Sequence, residues 1–364
     1  MILGISGYGS SGSTAVTDYL KGYSNINVFD NHLIHAEFQI LHEADGINDL
    51  KYHLTKSQER VACNAAIQRF RRLLKDGVWG RGMLSYLGSS NYNGWCDKLL
   101  EKIIQVSWNG FNSYYDPSDI LNSSDKHWVQ KCERKIDKLL KMINKKWSYP
   151  PAKIRCFSFF TAEEFDRIIA GSFVELFELL NIDESRINIF DMLYSAINPT
   201  MGMEFFKDAK CIIVDRDPRD LYSLAKFNNV KARFMPNNNV NSFVEYYKKI
   251  RQFRILNENV LVIQYEDMIY KYYDTIKKIN DFLNIPRTPD NEFEFFDPLV
   301  SVKYTNLKTL YEQIPTDIAI IEQELSDFLY DFVNSLPPSN DLKLLERDSK
   351  TTYKGLNASI LNLH

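Results

Sequence analysis

Apolar residues along this chain fall into two recurring patterns. Short unbroken runs at Ile2 to Ser6 (ILGIS), Cys211 to Val214 (CIIV) and Val260 to Tyr265 (VLVIQY) read as buried strands. Each is followed by a stretch with helical spacing. After the first run, Val16, Tyr19 and Leu20 share a helix face. After the second, Asp217 can cap a helix and Pro218 suits its first turn. After the third comes YYDTIKKINDFL. Strands alternating with helices predict an α/β fold in which a mostly parallel central sheet is covered on both faces, giving three layers.

From about residue 50 to about residue 200 helical periodicity dominates. KHWVQKCERKIDKLLKMINKKW, residues 126–147, places Val129, Cys132, Ile136, Leu139, Leu140, Ile143 and Trp147 on one face. Its other face is basic: Lys126, Lys131, Arg134, Lys135, Lys138, Lys141, Lys145 and Lys146. The expected organisation is a single domain over 1–340 with a helical insertion at about 50–185, then a polar tail over 341–364.

Composition narrows the function. With 44 Lys+Arg against 47 Asp+Glu the net charge is -3, so no global excess of positive charge marks a nucleic-acid binder and any anion site must be local. The five cysteines (Cys63, Cys96, Cys132, Cys156 and Cys211) form no C-x-x-C pair, which suits a reducing compartment. No signal-like leader and no membrane-length apolar run is present, so a cytoplasmic location is expected.

The strongest local signal is GYGSSGST, residues 7–14. It has the phosphate-loop spacing G-x-x-x-x-G-K-[ST] with Ser13 in place of the lysine. Gly7, Gly9 and Gly12 permit a tight turn whose amides, with the helix N-terminus, form an anion site without a cation. Ser10, Ser11, Ser13 and Thr14 add hydroxyl donors. A kinase or NTPase would need lysine or Mg²⁺ to offset charge on the transferring phosphoryl group. The second signal, Arg216-Asp217-Pro218-Arg219-Asp220, follows a predicted parallel strand. Arg216 therefore stands where a second phosphate can be held, while Asp215 offers the alternative of a Mg²⁺-binding acid.

Together these motifs resemble the sulfotransferases that use 3'-phosphoadenosine 5'-phosphosulfate. The third match is VLVIQYEDMIYKYYDTIKKINDFLNI, residues 260–285, similar to that family's strand, Y-E-D turn and helix. The resemblance implies a P-loop-like fold. It implies that Gly9, Ser10, Ser11, Gly12, Ser13 and Thr14 cradle the 5'-phosphosulfate, and that Arg216 grips the 3'-phosphate. SVKYTNLKTLYEQIP, residues 301–315, takes the place of the last donor loop, with Lys303 and Lys308 as basic candidates. Two positions depart from the pattern. Ser10 stands where many members carry Lys or Arg, and Leu224 stands where a serine is common, with Ser223 one residue earlier.

EFQILHEADGINDL, residues 37–50, resembles a segment of bacterial sulfotransferases that modify surface carbohydrates. The likeness implies a carbohydrate hydroxyl as acceptor and Glu37 as the base that deprotonates it. His35 and His32 remain alternatives, since imidazole also suits proton transfer near neutral pH. No metal is required by such a reaction. Trp79, Trp95, Trp108, Tyr114 and Tyr115 are candidates for stacking on sugars or for core packing. The basic face of 126–147 offers contact with an anionic glycan or a membrane surface. The expected activity is sulfuryl transfer from this donor, leaving 3',5'-adenosine bisphosphate. A P-loop kinase or NTPase and a non-catalytic nucleotide-binding protein are the competing readings.

Overall fold

A computed structural model of the chain describes residues 1–29, 39–110, 153–228, 235–285 and 289–333. Its strands are β1 (Ile2–Gly7), β2 (Ile26–Phe29), β3 (Val106–Gly110), β4 (Lys153–Phe157), β5 (Ile187–Asp191), β6 (Ala209–Asp215) and β7 (Val260–Gln264). The helices of nine or more residues are α1 (Ser13–Lys21), α2 (Arg60–Asp76), α3 (Val78–Ile103), α4 (Ala162–Leu179), α5 (Pro218–Phe227), α6 (Val240–Gln252), α7 (Tyr272–Leu283) and α8 (Pro315–Glu324). The chain divides into two compact units, one of Met1–Asn31 with Asp183–His364 and one of His32–Ile182.

The first unit is an α/β layer structure around a parallel sheet in the order β2-β5-β1-β6-β7. Period-two alternation sends Leu3, Ile5, Ile212 and Val214 to one face, where they pack with Val16, Tyr19 and Leu20 of α1 and Ile276, Ile279 and Leu283 of α7. A second cluster joins Leu221, Tyr222 and Ala225 of α5 to Phe243, Val244 and Tyr247 of α6 and Ile318 and Ile321 of α8. Central β1 lies between β5 and β6, strands that come from much later in the chain. The register pairs Gly7 with Val214, so Tyr8 and Asp215 are the next positions out, at the carboxyl ends where ligands of such sheets bind.

The second unit is built on α2, α3 and α4. Thr161 and Glu164 form a reciprocal capping box at the start of α4, and α3 bends at Gly88. Besides β5 of the first unit, which also falls within the stretch of about 50–200 expected to be helical, β3 and β4 depart from that expectation: they pair antiparallel, Val106 with Phe157 and Asn109 with Ile154. Both strands are only 5 residues long, too short for periodicity to separate them from the helices around them. Trp79 and Trp95, candidates for sugar stacking, are core residues. Both are buried with Tyr92, and the Trp95 indole donates to the Ser172 carbonyl at 2.8 Å. Trp108 is exposed. Tyr114, Tyr115 and the basic stretch 126–147 lie outside the described residues. Among the described residues no helix is long and apolar enough to cross a membrane.

Candidate functional site

The candidate site grows from the loop between β1 and α1. Three backbone choices shape it: Gly9 at φ 75°, Ser10 at φ 59° and Gly12 at φ 91°, all with positive φ. Glycine is required at 12 for a second reason. A Cβ there would lie 2.3 Å from the Tyr265 ring, so only a bare backbone fits. The loop is stapled from within, because the Tyr8 amide donates to Ser11 Oγ at 3.1 Å. Buried Ser11 thus holds the turn. Gly12 caps α1 without any side-chain bond, so the amides of the first helical turn at Ser13 and Thr14 have no capping side chain, and the positive end of the helix dipole faces outward.

Arg216 reaches this loop from β6. Its side chain is 5% exposed, yet it pairs with no carboxylate among the described residues. Nη1 donates to the Ser10 carbonyl at 3.0 Å and Nη2 to the Tyr304 carbonyl, while Nε is buried with no partner. The guanidinium lies 4.8 Å from the centre of the Tyr265 ring, the same ring that backs Gly12. Ser10 Oγ is also buried and unpartnered. A buried cation held by neutral carbonyls, with one donor idle, has been taken out of water without an ion-pair partner. That arrangement is costly for packing alone and suits a site awaiting an anion.

The nearby acids make no ion pair with Arg216 among the described residues, although Glu266 and Asp220 both feel its charge. Glu266 is fully buried, its Oε1 accepts from the Asp217 amide at 3.0 Å, and its Oε2 has no partner. Burial pushes its carboxyl up to about 8, against the pull of Arg216. Burial also raises Asp220. Asp220 accepts from the amides of Asn306 and Leu307 at 3.0 Å each and from the Tyr311 hydroxyl, so it pins the segment carrying Lys303 and Lys308 against α5. The structure thus brings Tyr304, neighbour of Lys303, to the loop and Arg216, while both lysines are exposed at this edge. Arg219 is committed elsewhere, to Asp217, Glu322 and the Tyr330 carbonyl.

Ser223 is fully buried in α5 with an unpartnered Oγ. Glu37, His35 and His32 lie outside the described residues.

Asp215, read from sequence as a candidate Mg²⁺ acid, is engaged otherwise. Oδ1 accepts from the Arg216 amide at 2.9 Å and from Arg251 Nη2 at 2.5 Å. Oδ2 accepts from Arg251 Nε at 3.2 Å and from Arg254 Nη1 at 3.3 Å. Two guanidiniums and an amide occupy its lone pairs, which corrects that reading. Arg251 and Arg254 escaped the sequence analysis because nothing in the spacing of α6 ties them to the end of β6.

No curated protein matches the chain. Among solved structures, the sulfotransferase domain from the curacin biosynthetic pathway is similar over 82% of this chain and 77% of that chain, at 17% identity and a TM-score of 0.32. Residues 198–324, the stretch that carries Arg216, Asp220, Glu266 and Tyr304, match the family model of the sulfotransferase domain.

Proposed function

We propose that this protein is a sulfotransferase that moves a sulfuryl group from 3'-phosphoadenosine 5'-phosphosulfate to a hydroxyl of a carbohydrate acceptor. The observation that carries the reading is Arg216. A buried guanidinium without a carboxylate partner, beside a loop of left-handed turns at a helix N-terminus, supports a ligand with two separate anionic groups. The family match over 198–324 supports sulfuryl transfer as the class of reaction. Loop amides and the start of α1 would receive the 5'-phosphosulfate. Arg216, with Lys303 and Lys308 at the rim, would receive the 3'-phosphate.

The acceptor oxygen would attack sulfur as the bond from sulfur to the bridging oxygen breaks, and the departing 5'-phosphate would keep that electron pair. Loop amides aimed at the bridging region would stabilise the charge that develops there. Glu37 is the proposed base for the acceptor proton, with His35 and His32 as the alternatives. Bacterial surface glycan is the proposed acceptor class.

The test is thermal stabilisation by 3',5'-adenosine bisphosphate, 5'-AMP, and ATP with Mg²⁺, since a ligand that binds only the native state raises the melting temperature. The expected result is a shift with the bisphosphate that exceeds the shift with 5'-AMP. A shift with ATP and Mg²⁺ alone would overturn the proposal in favour of a kinase or NTPase.

A further inference from the structure

The loop 7–14 contains no lysine or arginine, so a phosphosulfate bound there has no cation of the loop's own. A cation nevertheless reaches it from behind. Period-two alternation along β1 sends Ser6 and Tyr8 to the face opposite Leu3 and Ile5. On that face the Ser6 hydroxyl donates to the Tyr194 carbonyl and the Tyr8 hydroxyl to the Ala196 carbonyl. On β6 the same alternation puts Asp215 on this face and Val214 and Arg216 on the other. Arg254, just past the end of α6, donates Nη1 both to the Tyr8 hydroxyl and to Asp215 Oδ2, each at 3.3 Å. Arg216 therefore meets the loop at the Ser10 carbonyl on one face of the sheet, and Arg254 meets the hydroxyl of the loop residue Tyr8 on the other.

Arg254 differs from Arg251 in how firmly it is held. Arg251 takes Asp215 at 2.5 and 3.2 Å, is 3% exposed at its side chain, and lies between the Tyr247 and Tyr8 rings at 3.2 and 4.4 Å. Arg254 is 21% exposed, its contacts are both long, and its Nε and Nη2 have no partner among the described residues. One carboxylate between two guanidiniums leaves a net positive charge, and Arg254 is its reachable half.

We infer that Arg254 binds the sulfuryl end of the donor, supplying from the far face of the sheet the cation that the loop lacks. The inference rests on the proposed sulfotransferase reading. Its spare donors would bond the non-bridging sulfuryl oxygens, so Arg254 would discriminate the phosphosulfate donor from the bisphosphate product. Arg216 meets both ligands alike through the 3'-phosphate they share.

The experiment is calorimetric titration of the full chain, without acceptor, with 3'-phosphoadenosine 5'-phosphosulfate and with 3',5'-adenosine bisphosphate. It compares wild type, Arg254→Gln and Arg254→Lys. Arg254→Gln is expected to weaken the phosphosulfate about tenfold, the worth of one charge-assisted hydrogen bond, and to leave the bisphosphate within about twofold. Arg254→Lys should recover part of the loss. Asp215 keeps Arg251 and the Arg216 amide in both variants, so the fold is retained. Equal binding of both ligands by wild type and Arg254→Gln overturns the inference alone, as does an equal loss of both. A wild type that binds neither ligand overturns the sulfotransferase reading and this inference with it.

Discussion

Two buried arginines flank the ends of β1 and β6, and they have opposite surroundings. Arg251 is saturated: a two-pronged carboxylate, two aromatic faces and a main-chain carbonyl absorb its donors. Arg216 has two carbonyls, one ring, an idle Nε, and acids nearby that burial drives toward their neutral forms. Residue type and burial are the same in both places, so neither identifies a binding site. What separates them is whether the charge is already compensated. A compensated guanidinium is part of the scaffold, and an uncompensated one next to idle amides is an anion site.

Substitutions can break this contrast, beginning with the largest effect. Arg251→Met leaves Asp215 buried with a weaker set of partners, so stability should fall by about 3 kcal/mol in urea titration. A loss within experimental error would mean that Arg254 alone compensates the carboxylate. Arg216→Ala should barely destabilise, yet weaken 3',5'-adenosine bisphosphate about a hundredfold, or about 2.7 kcal/mol. Gly12→Ala forces a side chain into left-handed backbone against Tyr265, and about 2 kcal/mol of stability should be lost along with the shape of the loop.

The acid beside Arg216 gives a smaller and pH-dependent effect. With its carboxyl raised to about 8 in the native state, Glu266 keeps a proton that the unfolded chain, titrating near 4.3, has released. Its contribution is therefore complete at low pH and lost as pH rises through about 8. Glu266→Gln should flatten the fall in melting temperature between pH 6 and pH 9 by roughly 3 °C. An unchanged slope would mean that Glu266 is ionised, and Arg216 would then have its countercharge.

Much of this framework was legible in the sequence because it rests on local signals. ILGIS before GYGSSGST, CIIVD before RDPRD, and VLVIQY before YYDTIKK each join a strand, a turn and a helix, and the structure builds all three as read. Loop and Arg216 follow directly from those joints. Contacts made across long sequence separations were not legible. Asp215 faces residues 36 and 39 positions away, and Asp220 holds a segment 86 to 91 positions on. No periodicity reports such pairings. Trp79 and Trp95 illustrate the same limit, since an aromatic in a helical pattern fits a core and a sugar platform equally until its burial is known.

The most direct test of the central claim is a cycle of affinities. Dissociation constants for 3',5'-adenosine bisphosphate and for 5'-AMP are measured on wild type and on Arg216→Gln. If the uncompensated guanidinium is the 3'-phosphate site, wild type should prefer the bisphosphate by about a hundredfold and the variant by less than about threefold, because only the ligand with the second phosphate loses a partner. Equal losses for both ligands would show that Arg216 shapes the loop rather than binding the 3'-phosphate, and would contradict the account.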